Sequence, residues 1–335
     1  MDCYPNKVKH STKLPIWLTI FLTTASVTKQ ARADDLDSAI QNILQQRFAA
    51  GILLSDSDAV EFGIGSFDPN EIFNTDIDII GNEQSLEERK SKSIYILPFN
   101  KEFSIQNSDN KHKLMMKAYA ISSDIDVTLL SEELPKDALK ETTIGLALGY
   151  GYVYSVSEQF SITPQISTHL MYYENDFKPN SDVSRLIEFF LDDRVFNVSA
   201  WANVYEPSLS FNYRQETNWG RWDLKSKWTY FYGYTWGDAN NGNIGNPEGA
   251  YVTNEITGYF DILAQKQTLF LGTKRVDLSS TLNDELDTSH YYEISFGWLI
   301  NRPTKWQWLD NIGIGINLNI DSSINGSISL YYNKI

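Results

Sequence analysis

From Asn311 to Ile320 apolar and polar or small residues alternate without a break. Ile312, Ile314, Ile316, Leu318 and Ile320 fall on one side; Asn311, Gly313, Gly315, Asn317 and Asn319 fall on the other. After a short gap Ile324, Gly326, Ile328, Leu330 and Tyr332 repeat the pattern. Successive side chains of a strand point to opposite faces, so the end of the chain reads as two strands with one apolar face each. The same period recurs upstream. In 142–156 Ile144, Leu146, Leu148, Tyr150, Tyr152, Tyr154 and Val156 oppose Thr143, Gly145, Ala147, Gly149, Gly151 and Ser155, with Val153 the exception. In 219–236 Trp222, Leu224, Ser226, Trp228, Tyr230, Tyr232, Tyr234 and Trp236 oppose Arg221, Asp223, Lys225, Lys227 and Thr229. In 289–300 the apolar set is His290, Tyr292, Ile294, Phe296, Trp298 and Ile300. Sandwich strands run to about 5–6 residues. These runs are longer and place aromatics towards their ends, as strands crossing a bilayer do.

Twelve strands are expected: roughly 58–67, 92–105, 112–129, 142–156, 160–174, 195–217, 219–236, 249–262, 267–281, 289–300, 311–320 and 324–333. Their connections alternate between long (68–91, 130–141, 175–194, 237–248, 282–288) and short (106–111, 157–159, 218, 263–266). Outer-membrane barrels put long loops outside and short turns in the periplasm, on an even strand count. Only the turns 301–310 and 321–323 depart from the rule, and it places both chain ends in the periplasm. The fold class is therefore all-β, a transmembrane antiparallel β-barrel of about 12 strands with a short N-terminal helix. Glu206-Pro207 interrupts 195–217, which is read as one long, bent strand because splitting it would make the count odd.

The first 33 residues read as a cleaved signal peptide. Lys7, Lys9 and Lys13 precede the apolar stretch LPIWLTIFLTTASV, and Ala31-Arg32-Ala33 supplies a small-x-small cleavage pattern. That stretch falls short of the about 20 apolar residues of a spanning helix. Residues 34–57 then form a helix and linker, and 58–335 the barrel. In 35–50 Leu36, Ile40, Ile43, Leu44 and Phe48 share one helical face, Asp34, Asp35 and Asp37 suit its N-terminus, and Gly51 suits its C-cap. Twelve strands lie between the side-chain-filled barrels of eight and the open channels of 16–18. The helix thus has two destinations open to it: plugging the lumen, or lying against the periplasmic rim.

Composition narrows the function classes. The chain holds 9 Trp, 19 Tyr and 17 Phe yet is polar on average, as half-wet strands with aromatic girdles are. Cleavage would remove five basic residues and one acid, taking the net charge from −15 to −19. So acidic a chain lacks the basic footprint of nucleic-acid binding. It would also remove the only cysteine, Cys3, and with it disulfide and thiolate chemistry.

Candidate chemistry is sparse. His112 lies at a periplasmic turn and His290 at a strand start, whereas His169 is expected on the lumen side with Ser167, the pair a Ser/His hydrolase would need. Asp124 and Asp126 form an Asp-x-Asp at an outer rim, without the Asp-x-His of a rim protease. Arg221, Asp223, Lys225, Lys227, Asn317 and Asn319 are expected to line the lumen, where opposite charges either set ion preference or hold the wall together. Outer loops carry Asp68, Glu71, Asp76, Asp78, Glu83, Glu87 and Glu88, then Asp176, Asp182, Glu188, Asp192 and Asp193, with no calcium-loop spacing. No catalytic residue, metal site or cofactor is expected.

A signal, a short helix and a twelve-stranded barrel closing the chain resemble the translocator domain of autotransporters. About 20 residues separate Ala33 from the first strand, so no passenger is expected, and residues 34–335 look like the solitary autotransporter-like β-barrels of Gram-negative outer membranes. Such barrels usually end on an aromatic residue; here Asn333-Lys334-Ile335 follow Tyr332. The resemblance implies a non-enzymatic outer-membrane protein, a narrow or plugged porin-like pore. The alternative is a surface-binding protein that takes an extracellular ligand on its acidic loops. Its expected partners are outer-membrane lipid, lipopolysaccharide and the assembly machinery.

Overall fold

Alternating apolar and polar side chains produce a wall with two faces, and a wall that leaves no edge must close on itself. The computed structural model describes residues 29–56, 60–61, 92–127, 135–263, 266–279, 282, 288–301, 310–320 and 324–334. Its elements in chain order are α1 (Lys29–Leu54), β1 (Val60–Glu61), β2 (Lys92–Ser104), β3 (Lys111–Val127), β4 (Asp137–Ser155), β5 (Phe160–Lys178), α2 (Asp182–Leu191), β6 (Ser199–Thr217), β7 (Gly220–Gly237), β8 (Glu248–Ile262), β9 (Gln267–Leu278), β10 (His290–Asn301), β11 (Asn311–Ile320) and β12 (Ile324–Tyr332). Each strand pairs antiparallel with the next. The barrel closes where Val60 and Glu61 meet Leu330 and Ser329, while Glu61 also meets Ile96. Most of the first expected strand and the acids of the first outer loop lie outside the described residues.

Strand parity follows the sequence. Leu146 (60% exposed), Leu148, Leu170, Trp228, Phe296 and Ile314 point outward, forming an apolar belt round the wall. At the long-loop end the belt finishes on stacked aromatics: Tyr172 lies 4.9 Å from Trp201, which lies 6.4 Å from Trp236. Beyond them the outward positions turn charged, with Glu174, Asp176 and Lys178 on β5. The 19-residue strands β4, β5 and β6 therefore rise past the lipid boundary, a crossing needing only about 9–11 residues. At the other end Trp219–Phe260 (5.0 Å) and Tyr213–Trp222 (5.3 Å) mark the second boundary. An arginine at the centre of this belt should be expensive. Leu146→Arg is expected to lower stability by about 2–4 kcal/mol, read by urea unfolding in lipid vesicles.

β6 runs unbroken through Glu206-Pro207. Its ladder with β5 is continuous there (Ile166↔Pro207), while the ladder with β7 skips from Tyr205↔Tyr232 to Ser208↔Thr229 without changing register. The missing N–H thus costs one ladder only. Two expectations are corrected. β4 and β5 extend to Asp137 and Lys178, because their outer ends still pair above the membrane. The connection between β5 and β6 is not a plain acidic loop but carries α2, whose N-cap Ser181 accepts a hydrogen bond from the Ser184 N–H.

Candidate functional site: the lumen and the helix within it

Inward-facing side chains determine what a barrel can hold. Towards the long-loop end they are apolar: Ile96, Tyr119, Ile121, Met171, Tyr173, Val198, Ala200, Ala202, Val204, Phe231, Tyr251 and Val276. A polar lumen was the expectation, and this band is its correction. Helix α1 fills the space. Ile40, Leu44 and Phe48 are buried in one cluster with the band, Leu36 packs against it, and Ile43 is half-buried. Phe48 meets Tyr173 edge-on at 5.9 Å. From Phe48 to Leu53 every residue is buried, so the lower helix is enclosed on all sides rather than along one stripe. Enclosure explains another correction: Gly51 is not the C-cap. The helix continues to Leu54, and a Cβ on Gly51 would lie 2.7 Å from the Met171 methyl and 3.3 Å from Thr143 Cγ2, so a larger residue there requires the Met171 side chain to shift. The helix also begins earlier than expected, at Lys29.

The upper end of α1 lies among the long connections. Asp37 pairs with Arg194, whose Nε donates to Asn240 Oδ1 at 3.2 Å, and the Gln41 carbonyl lies 3.0 Å from where a Cβ of Gly245 would be. About two turns below Gln41, Arg47 Nε lies 2.9 Å from Glu141 Oε1, which also accepts from the Tyr173 hydroxyl at 2.7 Å. The upper end of the described helix thus lies at the long-loop end and its body inside the wall, not against the periplasmic rim; the start of the chain lies outside the described residues.

Its lower end meets charge. Lys117 Nζ donates to the Ser55 carbonyl at 2.7 Å, a cation at a helix C-terminus. Asp56 receives Lys227 Nζ on both oxygens (2.8 and 3.0 Å) and the Tyr251 hydroxyl on Oδ2 (2.9 Å), with Lys117 Nζ 3.9 Å away. Behind it Lys227 Nζ lies 3.9 Å from Glu206 Oε1, Glu206 Oε2 lies 3.4 Å from His169 Nε2, and His169 Nδ1 lies 3.3 Å from the Tyr119 hydroxyl. Of the expected lumen residues, Lys227 belongs here. Arg221 sits lower, 4.5 Å over the Tyr259 ring and 3.4 Å from Asp223, and Lys225 is half-buried between them in sequence. Asn317 donates to Ser329 (2.8 Å) and accepts from Tyr331 (2.5 Å). Asn319 pairs with Glu293 and Asn325 in the ladder. Asp56, Lys117, Glu206 and Tyr251 were missed by the sequence reading. The available signal was an ionisable residue inside an otherwise apolar inward row, Met115-x-Lys117-x-Tyr119-x-Ile121.

The expected chemistry is not assembled. Ser167 and His169 are both buried inward, but Ser167 accepts from Gln165 Nε2 (3.1 Å) while the His169 ring faces Tyr119 and Glu206. Asp124 and Asp126 point outward above the belt, opposite Lys140 and Ala138. His112 hydrogen-bonds with Tyr150 at 2.7 Å. Among the described residues no three His, Cys, Asp or Glu converge as a metal site. The non-aromatic tail finds a structural place. Asn333 adopts φ 51°, its amide N–H donates to Asn311 O at 3.0 Å, and Lys334 Nζ turns back over Phe270 and Tyr331, 4.8 Å from each ring.

Residues 45–334 match the family described as the solitary outer membrane autotransporter beta-barrel domain. The chain belongs to this family. With the outward apolar belt, membership places the protein in the outer membrane of a Gram-negative bacterium, spanned by strands; no described helix is long and apolar enough to cross. No curated protein matches the sequence. Similar solved structures include the translocator domain of the autotransporter NalP from Neisseria meningitidis (8% identity, 72% of this chain and 80% of that one, TM-score 0.46). The transport unit of the autotransporter AIDA-I from Escherichia coli is another (12%, 79% and 94%, 0.34), as is the KdgM porin in complex with oligogalacturonate (13%, 71% and 96%, 0.31).

Proposed function

We infer that this family member is a non-enzymatic, porin-like barrel held closed by its own N-terminal helix. One observation carries the reading: α1 is enclosed from Phe48 to Leu53, and the chain directly after it is gripped by Lys117, Lys227 and Tyr251. The apolar band excludes water around the helix, and the charged grip fixes its depth. Cleavage after Ala33 belongs to the same reading, as do lipid, lipopolysaccharide and the assembly machinery as partners. Planar-bilayer recording of the full-length protein beside a variant lacking residues 34–52 tests it; if neither conducts, the reading is wrong.

A second reading, capture of an extracellular ligand by the long loops, is favoured by α2. Leu186 (58% exposed), Phe189 (77%) and Phe190 (65%) form an uncovered apolar flank at the long-loop end. Replacing the three with Ser should abolish surface binding while the barrel stays heat-modifiable on gels. Unchanged binding removes this reading.

A further inference from the structure

The grip on Asp56 has the composition of a binding site already filled. Its donors Lys117 on β3, Lys227 on β7 and Tyr251 on β8 belong to the wall. The group it holds belongs to the short linker after α1. Lys227 Nζ reaches both carboxylate oxygens, at 2.8 and 3.0 Å, and the Tyr251 hydroxyl reaches one of them at 2.9 Å. Lys227 also lies 5.9 Å from the centre of the Tyr251 ring, which keeps the two donors on one side of the lumen. Charge balance points the same way. Two ammonium groups, Lys117 and Lys227, face two carboxylates, Asp56 and Glu206, while His169 stands behind Glu206. If Asp56 leaves, the wall keeps both cations and only one carboxylate, and Glu206 stays 3.9 Å from the lysine it would have to satisfy. While the helix stays, losing the Asp56 carboxylate leaves enclosed cations short of a partner, which is strongly unfavourable; once the helix withdraws, the same excess of positive charge faces the lumen and favours an anion there. Lys227 meets both carboxylate oxygens and the Tyr251 hydroxyl adds a hydrogen bond to one of them, so a two-oxygen anion meets more of the site than a single-centre halide does.

We propose that Lys117, Lys227 and Tyr251 form a carboxylate receptor at mid-lumen, occupied by Asp56 while the helix is in place and by a small carboxylate-bearing solute once the helix withdraws. As the substrate class of the pore, this rests on the plugged-pore reading; as a binding site it is tested without it. The D56G variant of the full chain removes a CH2 and a carboxylate, the atoms that acetate returns. Thermal unfolding is followed by heat-modifiable gel mobility in sodium acetate and in sodium chloride of equal ionic strength. D56G should unfold below the wild type, acetate should restore at least half of the loss in a saturable manner, and chloride should not. In D56G/K227M acetate should give no shift. An equal response to both salts, or rescue surviving in the double variant, overturns the proposal. If D56G fails to assemble in chloride, refolding yield in acetate becomes the readout: recovery supports the receptor and failure in both salts counts against it. D56N, whose side chain still fills the cradle, should ignore acetate; a shift there as large as in D56G also overturns it. A deletion of 34–52 that never conducts removes the pore alone, whereas D56G indifferent to acetate removes the receptor alone.

Discussion

A variant lacking residues 34–52 will conduct ions across a planar bilayer under conditions in which the full-length protein stays closed. The deletion removes Ile40, Leu44 and Phe48, the side chains that pack against the apolar band of the wall, and leaves the wall strands untouched. A helix with its side chains is about 10–12 Å across, so its removal leaves a gap that admits hydrated ions. The freed wall is lined by Lys117, Lys227, Glu141 and Glu206, which wet the gap rather than let it collapse dry. The barrel should remain heat-modifiable, because its closure depends on β1 pairing with β12 and β2. Equal currents from both proteins would contradict the reading.

The second large effect concerns Lys227. Its ammonium group holds both oxygens of Asp56 and faces Glu206, and its side chain is 14% exposed against 21% for Asp56. Removing one partner of a buried ion pair costs about 3–5 kcal/mol, since the other charge is left in a poor solvent. Lys227→Met keeps the length of the side chain and is expected to lower stability by about 3 kcal/mol, near the bottom of that range because Tyr251 and Lys117 still serve Asp56. Adding Asp56→Asn to Lys227→Met should recover part of the loss, a coupling read from urea-unfolding midpoints in vesicles. Additive losses would mean that the pair does not fix the helix.

Why were the strands so legible and the lumen so little? Lipid-facing positions must be apolar, so period 2 marks them along β7, β10 and β11 almost without error, and β11 was bounded to the residue. Parity says which way a side chain points, not what it meets. Ala200, Ala202 and Val204 on β6 face inward between Trp201 and Tyr205 facing outward, and those apolar inward positions were the trace of an apolar filler. The five residues named on one face of the helix are where the wall is met, but Ala49, Ile52 and Leu53 show that the burial does not stop at one face. Asp56 lay outside every pattern, because a single carboxylate after a helix has no period. Helix α2 was overlooked because its acids, Asp182 and Glu188, were weighed while its N-cap Ser181 was not. Lys334 makes a long-range contact to Phe270 on β9, and no local pattern announces it.

The most direct test of the account is a crosslink between the helix and the long-loop end. A Cβ on residue 245 would lie 3.3 Å from the Gln41 Cβ, near the about 3.8 Å separation of a disulfide. The left-handed φ of Gly245, 80°, should cost a cysteine there about 1 kcal/mol, which a correctly placed bond can offset. Cys3 is the chain's only cysteine, and replacing it with Ser leaves no competing thiol. With Gln41→Cys and Gly245→Cys introduced together, oxidation of intact cells should convert most of the barrel to the crosslinked form, and reduction should reverse it. A pair that stays reduced, while a control cysteine pair across β10 and β11 oxidises fully, would contradict a helix seated in the lumen.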